Sequence, residues 1–148
     1  MNTSAYKIII PETKKELEDY YRLRYEILRK PWNQPEKSTR DDSEDRSVHV
    51  LMIDENNQAI ACGRLQLNSK TEGQIRSMAV ETSKQGQGLG GKILDFIEMK
   101  AKELDLKMLI LDSRKPAEGF YKKHGFNTEG ESYLLFGVIP HVRMSKKI

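Results

Sequence analysis

Four glycines crowd into Gln85-Gly86-Gln87-Gly88-Leu89-Gly90-Gly91-Lys92, directly ahead of an amphipathic stretch. The chemistry this suits is phosphate binding. Without a Cβ the backbone can approach a pyrophosphate closely, and the free N–H groups of the next helix's first turn point at the anion. Taken alone, the segment fits three nucleotide-binding patterns. Gly86, Gly91 and Lys92 match G-x-x-x-x-G-K, but Ile93 stands where Ser or Thr must hold Mg²⁺. Gly86, Gly88 and Gly91 match the dinucleotide fingerprint G-x-G-x-x-G, with Asp112 about 20 residues beyond, where a ribose-binding acid would lie. Against that reading, Glu81-Thr82-Ser83-Lys84-Gln85 separate the loop from the strand ending at Val80, and too few strand–helix units follow. The choice of the third pattern depends on residues elsewhere.

The elements that must carry this loop can be read from periodicity and punctuation. Tyr6–Ile10 is a β-branched run stopped by Pro11, and Thr13 is placed to cap a helix to about Arg29, with Leu17, Tyr20, Tyr21, Leu23 and Leu28 on its apolar face. Pro31 ends it. From Trp32 to Arg46 the chain is polar and reads as a loop with room for a short helical turn; the acids Asp41, Asp42, Glu44 and Asp45 are expected in solvent, where they could also attract a cationic amine. Val48–Ile53, Ala59–Leu67 and Gln74–Val80 then predict an antiparallel three-strand meander with turns at 54–58 and 68–73. Leu89, Ile93, Leu94, Ile97, Ala101 and Leu104 recur at helical spacing, so the glycine loop opens a helix of about fifteen residues. Lys107–Asp112 is a short buried strand, which a crossover helix brings parallel to its predecessor. Pro116 starts a further helix to Lys123, Gly125 terminates it, and 126–144 reads as two strands, with Pro140 at an edge or a strand start.

Composition narrows the function classes. One domain over 1–148 is expected, since a chain of 148 residues buries roughly 70% of its extended surface. A net charge of +3 with interspersed signs argues against nucleic acid. Cys62 is the only cysteine, so no internal disulfide or multi-cysteine metal site is expected. Apolar runs such as Met108–Leu111 are too short for a bilayer, and Met1-Asn2-Thr3-Ser4 opens no leader pattern. The expectation is a cytoplasmic protein without a membrane partner.

Two motifs together select the third pattern. Gln85-Gly86-Gln87-Gly88-Leu89-Gly90 resembles the acyl-CoA loop of the GNAT superfamily of N-acetyltransferases, and Phe120-Tyr121-Lys122-Lys123-His124-Gly125-Phe126 resembles that family's F-Y-x-x-x-G-F, one helix and one strand later. Ile75–Val80 looks like the family's fourth strand. Leu23–Leu28 and Gly137–Met144 are similar to the first helix and closing segment of the ElaA-like members. The resemblance implies an α/β, single-domain acyl-CoA N-acyltransferase fold, with a mixed, mostly antiparallel sheet and flanking helices.

It also implies a reaction: direct attack by a primary amine of a small molecule or peptide on acetyl-CoA, with no metal. By position, Met78, Ala79 and Val80 are expected along the pantetheine arm, the Met78 N–H at the oxyanion, and Gln85, Gly86, Gln87, Gly88, Leu89, Gly90 and Gly91 around the pyrophosphate. Tyr121 is the expected general acid for the departing thiolate. The frequent glutamate base of the fourth strand is here Gln74, whose amide cannot accept the proton, which leaves Glu72, His49 and His141 as water-linked candidates. Arg114 stands where the family often has asparagine, and Asp112 is expected as a strand-end cap. Gln74 motivates a rival expectation, a non-catalytic acyl-CoA sensor or interaction module. A homodimer is among the assemblies that the resemblance allows.

Overall fold

Thr13 turns the chain from strand to helix by a reciprocal cap. Its hydroxyl accepts from the Glu16 N–H at 3.1 Å while the Glu16 carboxylate accepts from the Thr13 N–H at 3.1 Å. This cap joins β1 (Lys7–Ile9) to α1 (Lys14–Leu28). The computed structural model describes residues 5–148; Met1–Ser4, on which the leader expectation rests, lie outside them. After α1 the predicted polar loop folds into three single 3₁₀ turns, Lys30–Trp32, Glu36–Thr39 and Glu44–Arg46. β2 (Ser47–Ile53), β3 (Ala59–Leu67) and β4 (Glu72–Val80) form the expected meander.

A crossover through α2 (Leu89–Glu103) returns the chain as β5 (Met108–Arg114), parallel to β4. Then follow α3 (Glu118–Lys123), β6 (Asn127–Leu135) and β7 (Ile139–Lys147). The seven strands are ordered β1-β2-β3-β4-β5-β7-β6, and every pairing except β4–β5 is antiparallel. Because β7 pairs with β5, it lies inside the sheet and leaves β6 at the edge. Pro140 is the second residue of β7, a strand start as expected.

Alternation along β2 divides the core between the two faces of the sheet. Val50 and Met52 join Ile93, Ile97 and Ala101 of α2, whereas Leu51 and Ile53 join Tyr20 and Leu23 of α1. β3 is covered on both faces and is therefore buried from Ile60 to Gln66. Leu104 is a correction: it is the C-cap of α2, 45% exposed, and Leu106 beyond it takes the buried place. The cap breaks the helical phase, so the next inward side chain comes two residues later. No described helix is long and apolar enough to cross a membrane.

Candidate active site

β4 and β5 pair only from Glu72–Met108 to Ile75–Leu111; beyond that point the strands part. A bulge on the other edge of β4 accompanies the parting. Cys62 faces Ala79 and Arg64 faces Arg76, so Ser77 and Met78 together oppose Gly63 alone. Ser77 takes φ +56°, a left-handed conformation unusual for a residue with a Cβ, and its carbonyl accepts from the Cys62 thiol at 3.4 Å. Gly63 permits the neighbouring packing, because a Cβ there would lie 2.8 Å from side-chain atoms of Met78, Ile93 and Ile97. The separated strands form the walls of a cavity of about 900 Å³.

The glycine loop closes one end of this cavity. Gly86 and Gly88 have φ of +81° and +79°, and a Cβ on either would meet nothing within 4 Å. Gly88 is the N-cap of α2 and brings no side chain to its first-turn N–H groups, which stay open to an anion. Gln85, Gly86, Gly88, Leu89 and Gly90 line the cavity, as do Met78, Ala79 and Val80. Gln87 and Gly91 stand outside that lining: the Gln87 side chain accepts from the Tyr6 hydroxyl at 3.3 Å, and Gly91 packs on the His124 ring. The Val80 carbonyl already accepts from the Gln85 amide at 3.0 Å, which ties the loop to the strand.

Tyr121 lines the cavity from α3, in edge-on contact with Phe120 and 9% exposed. Its hydroxyl makes no hydrogen bond to a described residue. Burial pushes that hydroxyl up to about 12, so it holds its proton at neutral pH.

The base candidates separate. Glu72 lies at the paired end of β4, outside the cavity lining, and accepts from Asn68 Nδ2 at 3.0 Å. His49 is also outside it. Its Nε2 is 2.9 Å from the Glu44 carbonyl, which can only accept, so Nε2 carries the proton and Nδ1 accepts from the Tyr20 hydroxyl at 2.7 Å. Burial holds its basicity down. His141 does line the cavity; it is buried, stacks on Tyr133 at 4.7 Å, and its Nδ1 is 3.0 Å from the Ile139 carbonyl.

Asp112 corrects the cap expectation. β5 continues to Arg114, and the Asp112 carboxylate, on the cavity wall, accepts from Arg143 Nε and Nη2 at 2.7 and 3.1 Å and from Gln74 Nε2 at 3.4 Å. A second correction concerns the acidic run. Asp41, Asp42 and Asp45 are exposed as expected and Glu44 is not, but two of the four are tied to arginines: Asp41 to Arg64 at 2.7 and 2.8 Å, Glu44 to Arg24 at 2.7 and 3.0 Å. The Arg64 bonds hold the Asp41 carboxyl well below the usual carboxylate range.

The far wall contains residues that sequence reasoning did not single out: Arg24, Arg29, Arg76 and Tyr133. One signal was available. Arg24 shares the stripe of Tyr20 and Leu23, and a charge on an apolar helix face demands a partner. Among the described residues no three His, Cys, Asp or Glu side chains converge as a metal site.

Residues 15–126 match the model of the acetyltransferase (GNAT) family. YjcF of Bacillus subtilis, an uncharacterized N-acetyltransferase, is 29% identical over 140 residues, 95% of this chain and 99% of its own. Among solved structures, Escherichia coli ElaA superposes with a TM-score of 0.77 at 18% identity, over 95% of this chain and 97% of its own. A GNAT family acetyltransferase from Elizabethkingia anophelis, solved with acetyl-CoA bound, gives 0.72 at 19% identity, over 99% and 100%. These two likenesses carry the fold.

Proposed function

This chain belongs to the GNAT acetyltransferase family, and on that premise we propose that it transfers the acetyl group of acetyl-CoA to a primary amine, the whole chain serving as one N-acetyltransferase domain. The observation that carries this reading is the cavity between β4 and β5, with an anion-binding glycine cradle at one end and the Tyr121 hydroxyl on its wall. Acetyl-CoA supplies the thioester, and the residues present fit it. Gly86, Gly88 and the first-turn N–H groups of α2 receive the pyrophosphate, with Gln85, Leu89 and Gly90 shaping the cradle. Met78, Ala79 and Val80 border the pantetheine arm.

The Met78 N–H, on the bulged stretch of β4 that borders the cavity, is the candidate donor to a developing negative charge on the carbonyl oxygen. The amine nitrogen forms the C–N bond as the C–S bond breaks, and the electron pair of that bond stays on sulfur. Tyr121 Oη gives sulfur its proton and regains one from the amine through solvent. Its raised pKa suits a group that must arrive protonated.

Thiol release and product mass, followed with acetyl-CoA and a panel of polyamines, amino acids, aminoglycosides and peptides, test the proposal. An acetylated amine is expected. CoA bound without turnover on any amine would favour the non-catalytic reading, which Gln74 at the usual base position motivates; no CoA binding would overturn both.

A further inference from the structure

The end of the cavity away from the glycine cradle is walled by charge that does not cancel. Two carboxylates stand there, and both are engaged: Asp41 by Arg64 at 2.7 Å and Arg76 at 3.4 Å, Asp112 by Arg143 at 2.7 Å. Arg24 is matched by Glu44 at 2.7 Å.

Arg29 and Arg114 line the same cavity and have no carboxylate within ion-pairing distance among the described residues. Arg29 spends Nε and Nη1 on the backbone carbonyls of Ser38 and Leu28, both at 3.1 Å, which leaves Nη2 uncommitted. Its guanidinium lies over the Phe136 ring at 5.5 Å. The Arg114 guanidinium lies over Trp32 at 5.7 Å and makes no side-chain hydrogen bond to a described residue. Both forks are thus oriented by aromatic rings and keep donors free. Burial, and then the charges of Arg24, Arg76 and Arg114, weaken the hold of Arg29 on its proton, so these guanidiniums repel one another. A bound anion relieves that repulsion, whereas a polycation adds to it.

We infer that the acceptor is a small amine that also carries an anionic group, a carboxylate or a phosphate, received by the free donors of Arg29 and Arg114. This rests on the acetyl-transfer reading above and names the substrate class of that site. The same charge bears on the missing base as well. Two guanidiniums against one acceptor anion leave a positive field at the amine, which favours the neutral form that must attack and lowers the demand on a general base.

Acetylation rates of the wild-type protein with glycine, glutamate and O-phosphoethanolamine, set against putrescine, spermidine and ethanolamine, test this. The anionic amines should exceed the others in kcat/KM by about tenfold or more, as expected for charge-assisted bonds to a half-buried fork; glutamate against phosphoethanolamine tells carboxylate from phosphate. Arg29→Gln and Arg114→Gln should each raise KM for the preferred anionic amine by about tenfold and should not raise that for ethanolamine, whose ammonium group the lost guanidinium repels. The thermal midpoint of the CoA-bound protein should rise with N-acetylglutamate and not with N-acetylputrescine, a readout that needs no turnover and no variant. A preference for polyamines, unchanged KM in both variants, or equal midpoint shifts would overturn the inference. Failure to bind CoA in calorimetry would instead overturn the acyl-transfer reading beneath it.

Discussion

Arg64, 1% exposed at the centre of the sheet, grips Asp41 in the loop above the cavity with two parallel bonds of 2.7 and 2.8 Å. The same guanidinium donates to Ser47 Oγ at 2.8 Å and lies 3.1 Å from Glu44. Together with Arg24, which holds Glu44 and the Thr39 carbonyl, this buried arginine holds a segment with little apolar anchorage of its own. Arg64→Leu removes the charge-assisted bonds to Asp41 and the bond to Ser47 while Glu44 keeps Arg24, so it should lose about 2 kcal/mol of stability by denaturant titration. A loss within about 0.5 kcal/mol, the scale of an ordinary surface change, would mean that the loop is held by other means.

Asp41 carries a pH signature. Its folded pKa lies below the unfolded value near ~3.9, so its contribution is fully present above that value and is lost as pH falls through the folded one. The thermal midpoint should therefore decline below about pH 4, and Asp41→Asn should flatten the decline while lowering the neutral-pH plateau. Parallel wild-type and variant curves would show that other carboxylates govern acid unfolding.

Gly63 is the position at which α2 meets the sheet. A methyl group there would sit 2.8 Å from Ile93, Ile97 and Met78, so either the helix rises or Met78 moves within the bulge. Gly63→Ala should cost about 1–3 kcal/mol. Because Met78 borders the pantetheine path in the proposed site, KM for acetyl-CoA should rise together with the loss of stability. A variant as stable as wild type with unchanged KM would remove Gly63 from any part in shaping the site.

Local demands were legible in the sequence, and non-local ones were not. Thr13, and Gly88 ahead of α2, announce themselves because cap and loop residues act within one helical turn. The meander and the parallel β5 followed from period and spacing. The insertion of β7 between β5 and β6 has no local signal, yet it sets His141 beside Arg114. Asp41 and Glu44 read as solvated because their partners, Arg24 and Arg64, belong to elements on either side of them in the chain. Leu104 departs for a different reason: its helical spacing runs one residue past the last turn. The left-handed Ser77 could not be anticipated from its type, since only the mismatch with Gly63 requires it.

The glycine cradle separates backbone strain from ligand contact. Gly88 and Gly137 both take left-handed φ, +79° and +73°, and a Cβ on either would meet nothing within 4 Å, so alanine at each should cost about 1–2 kcal/mol of stability through the backbone alone. Only Gly88 lines the cavity. Gly88→Ala should therefore also weaken CoA binding in calorimetry by about tenfold, one charged hydrogen bond's worth, while Gly137→Ala leaves it unchanged. Equal CoA affinities in the two variants would move the pyrophosphate away from this loop.

Tyr121 offers the sharpest division between packing and chemistry. Phe120 and Phe126 contact its ring edge-on, at 4.9 and 6.0 Å between centroids, and Tyr121→Phe keeps those contacts. Stability should then change by less than about 1 kcal/mol, because the hydroxyl loses no partner among the described residues. If the hydroxyl protonates the leaving sulfur, kcat should fall by roughly 10²-fold or more with little change in CoA affinity. Its pKa of about 12 fixes the sign of the pH dependence: Tyr121 is protonated throughout the neutral range, so it places no alkaline limb on kcat below about pH 10. An acceptor amine with a pKa near ~10.4 pushes the other way, gaining its neutral form as pH rises. The wild-type rate should therefore climb from pH 6 to 9, and the Tyr121→Phe profile should run parallel to it at a lower level. A variant with wild-type kcat would return Tyr121 to a packing role.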